Sequence, residues 1–135
     1  MARPRRGLPT ERELEILKVL WGDHGPSTVR AVREALAPRR PVTYGAVLAM
    51  LQIMTAKGLV RPEKTRPAYL YRSCQSRCTV LRTLAGDLLE RVCDGSLVAL
   101  VRYALECQKE TDPGELAAIR RDLKEMAKAD GGARP

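Results

Sequence analysis

The sequence contains no phenylalanine, one tryptophan, four tyrosines and one histidine. A core built from it must be aliphatic, with Trp21 and a few tyrosines as its only large rings. His24 has no second histidine with which to share a metal or relay a proton. Four cysteines occur, Cys74, Cys78, Cys93 and Cys107, but none as a CxxC pair, which excludes zinc-ribbon spacing. Cys93 and Cys107 fall among apolar residues and are expected to pack as small hydrophobes. Cys74 and Cys78 leave two readings open, ordinary structural residues or a redox or soft-metal pair. No apolar run approaches the roughly 20 residues that a membrane span needs. The basic start, Met1 to Arg6, runs into Gly7-Leu8-Pro9 and a charged helix, unlike a signal peptide. A soluble chain in the reducing cytoplasm is the expectation. No nucleophile has a base partner in local sequence, no carboxylates pair in an apolar context, and no Gly-rich phosphate loop occurs. The sequence therefore predicts no catalytic residues, no metal and no cofactor.

Charge is plentiful and unevenly placed. Through Arg72 there are 14 Lys/Arg and 6 Asp/Glu; from Ser73 onward there are 10 of each. The net charge of +8 thus sits wholly in the first half. A basic module beside a neutral one predicts one polyanion-binding part and one protein-binding part.

Local signals divide the chain further. Residues 1–9 read as a flexible basic arm. Thr10 and Glu13 have capping-box spacing and start a helix with Leu14, Leu17 and Trp21 on one face, Ile16 and Leu20 beside them. Gly22 and Gly25-Pro26 end it. Ser27 is the expected N-cap of a second helix with Val29, Val32 and Leu36, closed by Pro38. Thr43 caps a third, running to Lys57, with the stripe Val47, Met50, Leu51 and Met54, and Gly58 as its C-terminal stop. Two β-type segments then flank a charged turn at Glu63 to Pro67. Three short helices followed by a hairpin is the winged helix-turn-helix order, assigned to residues 10–73.

The second half reads as helical. Val80, Leu81, Leu84, Leu88 and Val92 mark one helix, and Asp94-Gly95 breaks it. Ser96 opens another with Leu97, Leu100, Val101, Ala104 and Leu105. Asp112-Pro113 starts the last, whose Leu116, Ile119, Leu123 and Met126 form a seam. Three such helices have a thin core alone, so residues 74–128 are expected to pair with a second copy. The tail 129–135 is expected to be disordered. The fold class is mainly α with a small β-hairpin: a winged helix-turn-helix domain followed by a helical dimerisation region.

In this order and spacing the chain resembles the BlaI/MecI, or penicillinase repressor, family of transcriptional regulators. The resemblance rests on Leu8 to Trp21 (LPTERELEILKVLW), Thr28 to Val32 with Leu36, Tyr44 to Val60 (YGAVLAMLQIMTAKGLV), Arg66 to Tyr71, and Asp94-Gly95-Ser96-Leu97 with Leu100-Val101 and Leu105-Glu106. It covers about residues 8–126 and implies a homodimer that represses its targets from an inverted-repeat operator. It also implies release by a sensor protease cutting at Tyr103–Ala104, where this chain departs from the Asn-Phe pair of well-known members. The clustered CxC motifs of copper-responsive relatives are absent.

A double-stranded DNA partner assigns roles. On the third helix, Gly45, Ala49 and Gln52, flanked by Ala46, Leu48 and Ile53, are expected to face the major groove. Gln52 suits adenine N6 and N7, and Ala46 and Ala49 suit thymine methyls. Gly45 permits close backbone approach, and Thr43 and Tyr44 are candidate phosphate donors. Lys64 and Arg66 belong to the wing; Arg5, Arg6, Arg39, Arg40 and Lys57 are candidate phosphate contacts. Leu84, Leu88, Leu97, Leu100, Val101, Leu105, Leu116, Ile119 and Leu123 are the expected dimerisation residues. Two other readings remain open, a non-specific architectural DNA binder and a protein-interaction adaptor built on a winged helix.

Overall fold

Backbone polar groups at helix ends must find partners, and the capping residues fix where the helices begin. In the computed structural model, which describes residues 8–23, 25–64, 69–108, 110 and 112–133, α1 spans Glu11–Leu20, α2 Val29–Leu36 and α3 Tyr44–Ala56. Strands β1 (Val60–Lys64) and β2 (Tyr69–Ser73) follow, then α4 (Arg77–Val92), α5 (Leu97–Cys107) and α6 (Pro113–Ala133). The arm residues up to Gly7, His24, the wing tip 65–68 with Arg66, and the last two residues lie outside the described residues.

Thr10 and Glu13 form the full capping box. Thr43 caps α3 by accepting the Ala46 N–H at 3.1 Å, and Ser96 does the same for α5 from Ala99. Asp112 caps α6 through the Glu115 N–H. At the end of α3, Gly58 takes φ +80°, the left-handed conformation that only glycine adopts at no steric cost. The Leu59 N–H then donates to Met54 O at 2.9 Å and the Gly58 N–H to Thr55 O at 3.1 Å, which closes a Schellman motif.

Two units divide the chain, residues 1–87 and 88–135. The first holds the core: Ile16, Leu17 and Leu20 of α1, Val29, Val32 and Leu36 of α2, Val47, Leu51 and Met54 of α3, then Leu59, Val60, Tyr71 and Val80. Strands β1 and β2 pair antiparallel, with Val60 opposite Ser73 and Lys64 opposite Tyr69. This is the winged helix-turn-helix order. The wing is tied to the helices at two places. The Trp21 Nε1–H donates to Ser73 Oγ at 3.0 Å and to Gln75 O at 3.2 Å. Ser27 and Tyr71 exchange both backbone hydrogen bonds, at 3.1 and 2.8 Å. Because the N–H and C=O of Tyr71 are turned to Ser27, the opposite residue on β1 forms no hydrogen-bonded pair with it. That residue is Pro62, which lacks an N–H to offer.

Several expectations need correction. The N-cap of α2 is Thr28, not Ser27; Ser27 is held in extended backbone by its bridge to Tyr71. On α1 the inward line is Glu13, Ile16, Leu17 and Leu20, while Leu14 and Trp21 are half-buried at its margins. Leu84, expected at a dimer interface, packs against the core of the first unit, because Val80 one turn earlier anchors that part of α4 there. Cys107 is exposed, and Cys93 is half-buried. Helix α6 runs from Pro113 to Ala133.

The second unit is built differently. Asp94 and Gly95 both have positive φ, and the Gly95 N–H donates to Leu89 O at 2.9 Å, ending α4 before α5 begins. Among the described residues after Val80, no hydrophobic side chain is buried. The seam residues Leu116, Ile119 and Leu123 and the α5 residues Leu97, Val101 and Leu105 are all more than one-third exposed. Leu97, Val98, Val101, Leu105 and Leu123 line an open apolar groove of about 500 Å³ with Arg102 and Glu106.

Candidate nucleic-acid interface

Helix α3 has two unlike sides. Val47, Leu51 and Met54 are buried, and Met50 and Leu48 pack half-buried against the same core. Gly45, Ala46, Ala49, Gln52, Ile53 and Ala56 are exposed. At 3.6 residues per turn these six fall within roughly 120° of arc. Leu48 was expected beside them; it turns toward the core instead, because it lies next to the inward line. Thr43 and Tyr44 are exposed at the helix N-terminus. The Thr43 hydroxyl oxygen caps the helix as an acceptor and still has its O–H to donate. The N-terminus of a helix of this length carries partial positive charge, which suits a phosphate. A Cβ built on Gly45 would meet nothing within 4 Å, so packing within the chain does not require glycine there.

The basic residues sort into engaged and exposed. Lys57 was expected to reach a phosphate. Its Nζ instead donates to Glu13 Oε1 at 2.6 Å. Glu13 is only 4% exposed, and a buried carboxylate needs a counter-charge. The same Oε1 accepts the Thr10 N–H at 2.9 Å. Burial pushes the Glu13 carboxyl up, but the hydrogen bonds from Lys57 and Thr10 outweigh it and hold it below its ordinary value of 4.5. This pair fastens the end of α3 to the start of α1. Arg40 Nη2 donates to Glu15 Oε1 at 3.2 Å, yet its side chain keeps 40% exposure and room for a second partner. Arg39 and Lys64 are exposed. On the wing, Arg72 Nε donates to Glu63 Oε1 at 2.7 Å, which keeps the Glu63 carboxyl below its ordinary range.

The Glu13 geometry carries a pH prediction. A carboxyl whose folded pKa is depressed contributes stability above its unfolded pKa and loses it as pH falls through the folded value. The first unit should therefore hold its unfolding temperature above about pH 4.5 and lose it on further acidification. Glu13→Gln should lower stability at pH 7 by about 1–2 kcal/mol and flatten the acid limb. An equally steep acid limb in the variant would assign the loss to other carboxylates. Thermal unfolding followed by fluorescence of Trp21, the sole tryptophan, measures both.

Comparison with known proteins bears on this arrangement. The family model of the penicillinase repressor matches residues 9–125, nearly the whole chain. The chain belongs to the penicillinase repressor family. A transcriptional regulator BlaI from two strains of Mycobacterium tuberculosis is 32% identical over 124 residues, 91% of this chain and 88% of the relative. Among solved structures, a homodimeric winged helix-turn-helix DNA-binding domain from Mycobacterium bovis is 27% identical over 65% of this chain and 72% of that one, at a TM-score of 0.45. An ArsR-like transcriptional regulator from a Rhodococcus species is 25% identical over 77% and 89%, at a TM-score of 0.41.

In this penicillinase repressor chain the third helix brings together Thr43, Tyr44, Gly45, Ala46, Ala49 and Gln52 on accessible surface. Arg66 lies outside the described residues. Sequence reasoning missed the role of Glu13 as partner to Lys57. The signal was there in part: a charged residue on the inward line of an amphipathic helix needs a partner. Cys74 and Cys78 are both exposed, and no group of three or more His, Cys, Asp or Glu side chains suited to a metal occurs among the described residues. Among those residues, no helix is long and apolar enough to cross a membrane.

Proposed function

We infer that this penicillinase repressor family member binds duplex DNA as a homodimer and represses transcription from an inverted-repeat operator. The observation that carries the reading is α3. It is seated on the core by one side and offers the other, uncharged side outward, within the unit that holds the whole net positive charge. A helix of 13 residues fits the major groove, and the positive surface around it supplies sequence-independent attraction to phosphates. Gln52 pairs with adenine. Thr43, Tyr44, Arg39, Arg40, Lys64 and Arg66 hold the backbone, with Lys57 removed from that set by Glu13. The exposed apolar groove between α5 and α6 pairs with a second copy and supplies the two-fold symmetry that an inverted repeat requires. The residue division is then 10–73 for DNA and 74–128 for dimerisation, with the start of α4 shared. Release follows the resemblance: a sensor protease opens α5 at Tyr103–Ala104, where Tyr103 is 60% exposed. The protein acts in the cytoplasm by binding, without a catalytic group.

Selection of bound sequences from random duplex DNA at near-physiological salt tests this. The expected result is an inverted repeat. Gln52→Ala should then lose one base preference per half-site, by about 1–3 kcal/mol of discrimination. Binding without any motif would replace the repressor by an architectural binder, and no binding would favour an adaptor that docks on protein. An unchanged motif for Gln52→Ala would remove Gln52 from the reading face.

A further inference from the structure

The outward arc of α3 is chemically unusual for a surface that reads DNA. It presents Gly45, Ala46, Ala49, Gln52, Ile53 and Ala56, and Gln52 is the one residue among them with a polar side chain. No residue from Tyr44 to Ala56 is charged. Ile53 is 56% exposed, although Met54 beside it in sequence is fully buried. Folding does not explain an isoleucine at that position, since it contributes little to the core from there. Base edges in the major groove are lined with hydrogen-bond donors and acceptors, and an apolar side chain pressed on them strips water without replacing it. The exception is the C5-methyl group of thymine. Small side chains at 46, 49 and 56 also let the helix backbone approach closely, bringing such methyls into van der Waals reach.

We propose that sequence recognition by this protein is carried chiefly by thymine C5-methyl groups packed against Ala46, Ala49 and Ile53, with Gln52 as the single hydrogen-bonding reader. The inference rests on the DNA-binding reading above and specifies its ligand: half-sites rich in A·T pairs, recognised by shape and methyl contact. Guanine-directed readout has no side chain on this arc, because that contact is made by Arg or Lys.

Deoxyuridine distinguishes this mechanism from others, since it keeps every hydrogen-bonding group of thymine and removes only the methyl. The full-length protein is titrated with its selected duplex, with the same duplex carrying deoxyuridine at each thymine in turn, and with a scrambled duplex. Each methyl facing α3 should be worth about fourfold in affinity, the equivalent of about 0.8 kcal/mol for one buried carbon. Two or three of them together should cost about 15- to 60-fold. Ile53→Ala, at an exposed helical position, should weaken the thymine duplex and leave the deoxyuridine duplex nearly unaffected at the matching position. Equal affinity for thymine and deoxyuridine duplexes, with the scrambled duplex still rejected, overturns methyl readout and leaves the repressor reading intact. Equal loss of both duplexes by Ile53→Ala also overturns it. Failure to distinguish the scrambled duplex overturns both.

Discussion

Leu51→Ala is expected to lower the unfolding free energy of the first unit by about 3 kcal/mol, among the largest losses any single truncation in this chain should produce. Leu51 is fully buried on the inward side of α3. Truncation removes its transfer energy and leaves a cavity that Ile16, Leu17 and Met54, themselves fully buried, have little freedom to fill. For a unit of this size the loss corresponds to a fall of at least about 10 °C in unfolding temperature. The fluorescence of Trp21 reports on it, because that indole is tied by hydrogen bonds to Ser73 and Gln75 within the same unit. At a temperature where the variant is still folded, its DNA preference should match the parent, since the outward arc is untouched. Ile53→Ala should behave in the opposite way, with stability kept and recognition changed. A loss below about 1 kcal/mol for Leu51→Ala would mean that α3 is not seated as described.

The two sides of α3 also show what sequence could and could not disclose. Val47, Leu51 and Met54 repeat with helical spacing, so the buried side was legible. Leu48 was not, because a residue at the edge of the stripe is apolar whether it turns inward or outward. Caps were legible where one Ser or Thr stood alone, as with Thr43 and Ser96, or where a proline marked the first helical position, as Pro113 does for Asp112. Ser27 and Thr28 were a pair of adjacent candidates. Only the bridge from Ser27 to Tyr71, formed across more than forty positions of sequence, decides between them. Lys57 posed the same difficulty, since its partner Glu13 lies at the other end of the three-helix segment. In Leu84 the periodicity that predicts a dimer face is identical to the periodicity that predicts docking on a core. Local chemistry thus fixed the elements, while partners distant in sequence required the fold.

Charge placed in the groove of the second unit should weaken operator binding by about a hundredfold or more. Leu97, Val101, Leu105 and Leu123 surround that groove, and no hydrophobic residue of α5 or α6 is buried among the described residues. Helices this apolar on one side gain little from their own unit, and a second copy is the occupant that the proposed inverted repeat calls for. Val101→Asp together with Leu123→Asp places two carboxylates per chain in that interface, four in the pair, against one Arg102 per chain that already has Glu106 beside it on the groove wall. Burial of unpaired charge costs several kcal/mol each, enough to hold the protein as monomer at micromolar concentration. A monomer binds one half-site at a time and forfeits the high effective concentration of the second, so operator affinity should fall by about 10²- to 10⁴-fold. Affinity for a duplex carrying a single half-site should be unchanged, as should the Trp21 unfolding transition of the first unit. Sedimentation, titration of both duplexes and a melt followed by Trp21 fluorescence check the four outcomes together. A variant that stays dimeric would place the interface elsewhere on the chain. A monomer that kept full operator affinity would show that the two half-sites are bound independently, and the inverted repeat would then record two separate events instead of one symmetric grip.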